Sequence, residues 1–340
     1  MIERGLSHKI YCTSFLLAIL VVGIHCSTLD SLNPELPGFG LSFTLQRFFI
    51  AIGDVAVPMF FAISGYLLFS KFSLESYPRM LLKKVFTLVI PYFLFSLIGF
   101  LAVRVFYPLF GGSPISLPFP EALFDFLLAK HCPQIWFVRP LALYCLASPL
   151  LYFLFKGLRR FSILIPAALL VLYLFVRPDY YGLLLWIPPF SIGAYLSFFK
   201  VKVENAFYPR VVAVVSLCLL LLFAFLLSYF KVDFEEKWYF AHRFLSPVLL
   251  WLSLDLFRPL FERERIGEVF KTSPFIFFSH IFFVYSLKLP LTTAIRPDSN
   301  YLCLALFFLV WFLSASLTAT LGYLLRRFAK PVYRVLLGRQ

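Results

Sequence analysis

Apolar runs of about 17 to 25 residues recur along this chain, and each is long enough to cross a hydrocarbon core of ~30 Å as a helix. Ten such stretches are recognisable, near 10–28, 47–70, 85–107, 134–155, 161–176, 182–199, 211–230, 241–257, 272–290 and 300–325. The fifth is the shortest. Composition agrees with a bilayer as the solvent. Of 340 residues 61% are hydrophobic and 14% charged, and 45 are Phe, far from the usage of soluble domains. The expected fold is an all-α polytopic membrane helix bundle of about ten transmembrane helices, with residues 1–340 as one integral-membrane domain.

Basic residues give the orientation, because cytoplasmic loops collect Lys and Arg. With the N-terminus inside and ten spans, 21 of the 31 basic residues fall in cytoplasmic segments, including Arg4, Lys9, Lys83, Lys84, Arg159, Arg160, Arg258, Arg326, Arg327, Lys330 and Arg334. Both termini are therefore expected in the cytoplasm. The net charge of +14 needs no nucleic acid partner, since orientation and contact with anionic membrane lipid account for a basic inner face. The first apolar run carries no convincing small-residue cleavage site and is expected to stay attached. No fixed-period repeat is visible. Among six cysteines none has metal-ligand spacing, so no metal site is expected, and Cys26 with Cys132 is the one pair that could form a disulfide. The stretch "EALFDFLLAK", Glu121 to Lys130, reads as a short interfacial helix after a Pro- and Gly-rich loop.

Ionisable groups inside lipid cost a few kcal/mol and tend to face the bundle or a water-filled cavity. The candidates are His25, Asp54, Arg104, Arg139, Arg243, Asp255 and His280. On the ten-span topology His25, Asp54, Arg139 and Arg243 fall in the outer half and His280 near mid-depth. Each taken alone is equally well read as a polar contact between helices. Asp255 lies beside the cytoplasmic cluster that starts at Arg258.

The wording around these residues adds to that reading. "LLAILVVGIHCS" (Leu16–Ser27), "VAVPMFFAISGYLLFSKF" (Val55–Phe72), "QIWFVRPLALYCLASPLL" (Gln134–Leu151), "WIPPFSIGAYLSFF" (Trp186–Phe199) and "SPFIFFSHIFFVY" (Ser273–Tyr285) follow one another in that order. Together they resemble the bacterial membrane acyltransferase-3 family, whose members typically O-acetylate sugars or glycans. The phrase from Pro58 to Tyr66 is the most specific piece. The resemblance implies a catalytic histidine on the first span, matched by His25. It also implies an arginine eleven residues earlier, where this chain has Ser14, and an acidic residue at the position of Tyr11. Eleven residues are about three helical turns, so positions 14 and 25 share one face roughly 16 Å apart. The basic residues before the proline of the third span are represented by Lys83 and Lys84, ahead of Pro91.

What the resemblance implies is an enzyme, a membrane O-acyltransferase that moves an acetyl or other short acyl group from a cytoplasmic donor, acetyl-CoA, to a hydroxyl on a sugar or cell-envelope glycan, free or lipid-linked. Its place would be the bacterial inner membrane. No bound cofactor is expected, with acetyl-CoA acting as co-substrate. Acyl transfer from a thioester to an alcohol needs a base, and an imidazole of ordinary pKa ~6.5 can take the proton and return it to the thiolate. His25 is the candidate base. The oxyanion needs donors, for which Arg139, the Trp136 indole and neutral His280 are candidates, Arg139 first. Asp54 could orient His25 if it faces it, and Arg243, Trp136 and Ser14 are further candidates for substrate binding. Lys83, Lys84, Arg159 or Arg160 are candidates for the donor phosphates, in competition with a purely topogenic role. Two other classes stay open: a catalytically altered relative, which would account for Ser14 and Tyr11, and a polysaccharide-precursor transporter or flippase, for which broken helices or paired repeats would be expected.

Overall fold

The computed structural model describes residues 4–106, 118–176, 178–201, 208–295 and 299–338. Those residues form helices joined by turns, with no strand among them. In chain order the α-helices are α1 (Arg4–His25), α2 (Phe39–Asp54), α3 (Ala56–Phe69), α4 (Tyr77–Lys84), α5 (Ile90–Leu101), α6 (Phe119–Leu127), α7 (Val138–Leu146) and α8 (Ser148–Leu158). Then follow α9 (Leu164–Tyr173), α10 (Ile187–Phe198), α11 (Arg210–Tyr229), α12 (Lys237–Ser253), α13 (Arg258–Phe261), α14 (Ser273–Ile295), α15 (Asn300–Phe328) and α16 (Lys330–Leu337).

Seven helical runs among the described residues are long and apolar enough to cross a membrane, and an eighth arises if Pro133–Leu146 and Ser148–Tyr173, which meet at 53°, are one span. The difference from the ten apolar stretches is confined to 134–199. Proline explains it: Pro149, Pro188 and Pro189 sit in the first turns of α8 and α10, where a missing N–H is tolerated, and so start new helices rather than continue old ones. With twelve residues α10 is about 18 Å long, too short to cross alone.

Proline also shapes the second run. α2 ends at Asp54 and α3 begins at Ala56; Pro58 has no N–H to give to the Asp54 carbonyl, so the helical ladder is interrupted at the acidic residue. In the third run two π-helical stretches, Val85–Val89 and Ala102–Phe106, flank α5.

Small residues let helices approach closely. α3 and α10 cross at Gly65 and Gly193, where an added Cβ would lie 2.0 Å from the Phe190 carbonyl oxygen and 1.9 Å from that of Ala62. Backbone-to-backbone contact of this kind is a main source of helix association in lipid, where apolar burial gives no advantage. Around the crossing, Phe61 stacks on Trp186 at 5.6 Å and Tyr144 packs on Phe61 and Phe190. α1 packs against α2, α3, α14 and α15, which places its C-terminal end among the polar residues of the site.

The structure adds a partner for one basic residue and corrects one expected pairing. Lys9, counted among the cytoplasmic basic residues, is 2% exposed and pairs with Asp255 at 2.5 Å. Its ammonium also lies 4.3 Å from the Trp251 ring, and Asp255 accepts the Tyr208 N–H, so both ions are satisfied and tie α1 to the end of α12. Cys26 and Cys132 are both free and sit in different parts of the core: Cys26 with Val22 and Phe307, Cys132 with Phe95, whose carbonyl its thiol contacts at 3.1 Å. A helix is present over most of the expected 121–130 stretch as α6, with Phe119 and Phe124 largely exposed and Asp125 turned inward. Most of the Pro- and Gly-rich loop before it, 107–117, lies outside the described residues.

Candidate active site

α1 delivers His25 at its last residue, and α14 delivers His280 in its second turn; their rings lie 5.2 Å apart, centroid to centroid, tilted by 41°. His25 is half-buried and His280 fully buried. His280 Nδ1 lies 3.0 Å from the Ile276 carbonyl and 2.9 Å from that of Phe277. Carbonyl oxygens only accept, so in the neutral ring Nδ1 carries the proton and Nε2 carries the lone pair. That Nε2 is buried without a hydrogen-bond partner. The contrast with His242 is instructive. His242 Nε2 donates to the Ala51 carbonyl at 2.8 Å and its Nδ1 accepts from Ser246 at 2.8 Å, so both nitrogens are used and this histidine is structural.

Lys288, two turns beyond His280 on α14, donates its ammonium to the Ser27 carbonyl just past the end of α1. It thereby serves the C-terminal end of α1, where a cation also complements the helix dipole. Lys288 and Asp54 are the charged residues that approach His25 among the described residues. Sequence reasoning passed over Lys288; the available signal was a lysine in the same apolar run as His280, just before Pro290.

Asp54 does not hydrogen-bond to His25. Its Oδ2 is held by Arg243, from Nη2 at 3.1 Å and Nε at 3.2 Å, and Arg243 Nη1 donates to the Phe234 carbonyl at 3.1 Å. The guanidinium lies between the Tyr180 and Tyr239 rings, 4.8 Å from each centroid. The expected tautomer-fixing contact is thus replaced by an ion pair, and Arg243 spends its donors on positioning. The pair exists because the break at Val55 leaves Asp54 at a helix end facing α12.

Trp136 joins this half of the site through aromatic contact, 5.3 Å from Tyr180, 5.2 Å from Tyr181 and 5.8 Å from Trp186. Its neighbours Gln134 and Phe137 pack on α14 beside His280: Gln134 Nε2 donates to the Phe278 carbonyl at 2.8 Å, and the Phe137 and Phe277 rings meet at 4.3 Å. Arg139 starts one turn later on α7. Its buried Nε has no hydrogen-bond partner, and Tyr92 lies within its electrostatic reach. Among the described residues Arg139 makes no hydrogen bond to His25, His280 or Asp54.

Ser14, Lys83 and Lys84 are not brought to this cluster. Ser14 lies eleven residues back along α1, roughly 16 Å from His25. Lys83, exposed, and Lys84, half-buried, end α4 and precede the π-helical turn. Among the described residues no group of three or more His, Cys, Asp or Glu is arranged to hold a metal ion.

The class defined by the fold and this cluster is a polytopic membrane protein in which a half-buried histidine at the end of one helix meets a buried histidine inside another, near an ion pair. Residues 15–327 match the acyltransferase-3 family, described as an acyltransferase domain, and the chain belongs to that family. It is accordingly a membrane acyltransferase. The matched stretch includes His25 and stops short of Ser14. No curated protein and no solved structure matches the chain.

Proposed function

We propose that this protein is an O-acyltransferase of the bacterial inner membrane, with both termini in the cytoplasm. In this reading it moves an acetyl or similar short acyl group from acetyl-CoA to a hydroxyl of a sugar or cell-envelope glycan. The observation that carries the reading is the His25–His280 pair, in which one imidazole is half-accessible and the other presents an unpartnered ring nitrogen. Acceptor hydroxyl and His25 form the reacting pair. His25 takes the hydroxyl proton as the oxygen attacks the thioester carbonyl; the tetrahedral intermediate collapses by breaking the C–S bond, and the proton returns from His25 to the departing thiolate. His280 Nε2, bare of hydrogen, serves as an acceptor that holds His25 or the acceptor hydroxyl, and is not a donor to the oxyanion. That leaves Arg139, with its unpartnered Nε, and the Trp136 indole as oxyanion donors, Arg139 first, and Trp136 with Tyr180 as an aromatic wall for the acceptor. Asp54 and Arg243 fix the wall.

Donor phosphates are assigned to Lys83 and Lys84, because a Ser14 hydroxyl cannot act as a guanidinium clamp. Titration of the purified protein with coenzyme A at two salt concentrations tests this. Weak, salt-sensitive binding that is lost in Lys83→Ala with Lys84→Ala is expected; tight binding unchanged by the pair would place the phosphates elsewhere.

A further inference from the structure

Beyond the end of the last long helix, the chain turns at Ala329 and continues as α16, a helix with three separate faces. Tyr333 and Leu337, four residues apart, are buried at 4% and 1% exposure. Tyr333 stacks against Phe275 of α14 at 6.2 Å, and its hydroxyl donates to the Lys271 carbonyl at 3.4 Å. Gly338 closes the helix with φ of +74°, and an added Cβ there would lie 2.1 Å from the Phe86 carbonyl oxygen in the π-helical turn. One face is thus fixed to the protein at both ends. At 100° per residue, Lys330 and Arg334 form a second stripe beside the buried one, and Val332 and Val335 a third that points away from the protein. Val332 is 50% and Val335 66% exposed, and Phe328 at the preceding turn is 73% exposed. Lys330, Arg334 and the nearby Arg327 are exposed too.

We infer that α16 is an interfacial anchor whose occupant is the anionic phospholipid leaflet, Val332 and Val335 entering the headgroup–acyl boundary while Lys330 and Arg334 contact lipid phosphates. The charge pattern chooses the occupant. A neutral acyl environment alone would leave the cations uncompensated, and water alone would leave three large apolar side chains uncovered; an anionic leaflet satisfies both. The length fits as well, since eight residues, about 12 Å, lie along an interface but cannot cross it. This inference does not depend on the acyl-transfer reading.

The test uses full-length protein carrying Val335→Trp, read as the difference from the unsubstituted protein and titrated in detergent with acyl-brominated phosphatidylglycerol or phosphatidylcholine. Quenching of the introduced indole at several-fold lower concentration of the anionic lipid is expected. Adding Lys330→Gln and Arg334→Gln should raise the half-quenching concentration for phosphatidylglycerol by about 25-fold, at ~5-fold per cation, and leave that for phosphatidylcholine unchanged. Equal quenching by both lipids would overturn the proposal, as would full competition by inorganic phosphate. So would an indole that neither lipid reaches while the protein self-associates, because a second copy would then cover the face. All three substituted side chains are exposed, and a single symmetric size-exclusion peak checks that each variant is folded.

Discussion

At the scale of the residue, the histidines differ in what their ring nitrogens do. His242 is satisfied at both, His280 at one, and His25 at neither by a protein hydrogen bond among the described residues. An unsatisfied buried nitrogen persists where something else uses it. His280→Gln should therefore lower transfer by less than the ~10²- to 10⁴-fold of losing a general base, since glutamine still offers an acceptor. Rates of the purified variant in proteoliposomes measure this. Lys288→Met leaves the Ser27 carbonyl without its donor and should cost about 1–3 kcal/mol of stability, with Lys288→Arg restoring most of it. Thermal unfolding of the two variants side by side decides it. The sequence allowed His25, His280 and Asp54 to be picked out, because an ionisable group in an apolar run stands out whatever the fold. It did not allow their partners to be read. Lys288 was passed over and Lys9 was counted only as a topogenic charge, since pairing across elements such as Lys9 with Asp255 depends on which helices meet, and that is written in no local pattern. Asp255→Asn would leave the Lys9 ammonium buried and unpaired, and a loss of about 3–5 kcal/mol is expected in denaturation of the variant.

Elements carry the next level. Apolar runs located every long helix among the described residues, but the middle third defeated a count by length, because Pro149, Pro188 and Pro189 divide apolar sequence into short helices that pack on α3 rather than cross alone. Close approach of α3 and α10 rests on two glycines. Gly193→Ala puts a methyl 1.9 Å from the Ala62 carbonyl oxygen, so the backbones must part, at a cost of about 1–3 kcal/mol or more. Gly157→Ala, near the end of α8 with open space around it, should be neutral or mildly stabilising. A melting-temperature comparison of the two alanine variants separates packing from any general effect of alanine.

α6 offers a pH test. Asp125 contacts Lys130 at 2.7 Å, His131 at 3.8 Å and Arg104 at 3.9 Å. The Lys130 hydrogen bond, aided by the charges of Lys130, His131 and Arg104, holds its carboxyl below the ordinary value. Burial holds the His131 imidazole below its own. With the folded pKa lowered, the Asp125 contribution is complete above the unfolded pKa of ~3.9 and is lost as pH falls through the folded value; that of His131 fades earlier, on acidification below ~6.5. Asp125→Asn should melt below wild type near pH ~6, and the gap should narrow as the pH falls below ~3.9. Thermal unfolding across that range is the measurement, and a gap independent of pH would contradict it.

For the whole molecule the family and the helix bundle agree on a membrane acyltransferase, and the proposed mechanism centres on one residue. A base that moves a proton and a histidine that only packs leave different traces: the first costs rate and spares the fold, the second costs the ~0.6 kcal/mol of stability typical of an intramembrane polar contact and so lowers yield and melting temperature. The direct test reconstitutes wild type and His25→Gln in proteoliposomes, supplies labelled acetyl-CoA with a cell-envelope glycan fraction, and follows label into the glycan alongside the melting curve of each protein. A fall in transfer of about 10²- to 10⁴-fold with an unchanged melting temperature is expected. Full transfer by His25→Gln, or a loss of transfer that tracks a loss of folded protein, would contradict the assignment of His25 as the base.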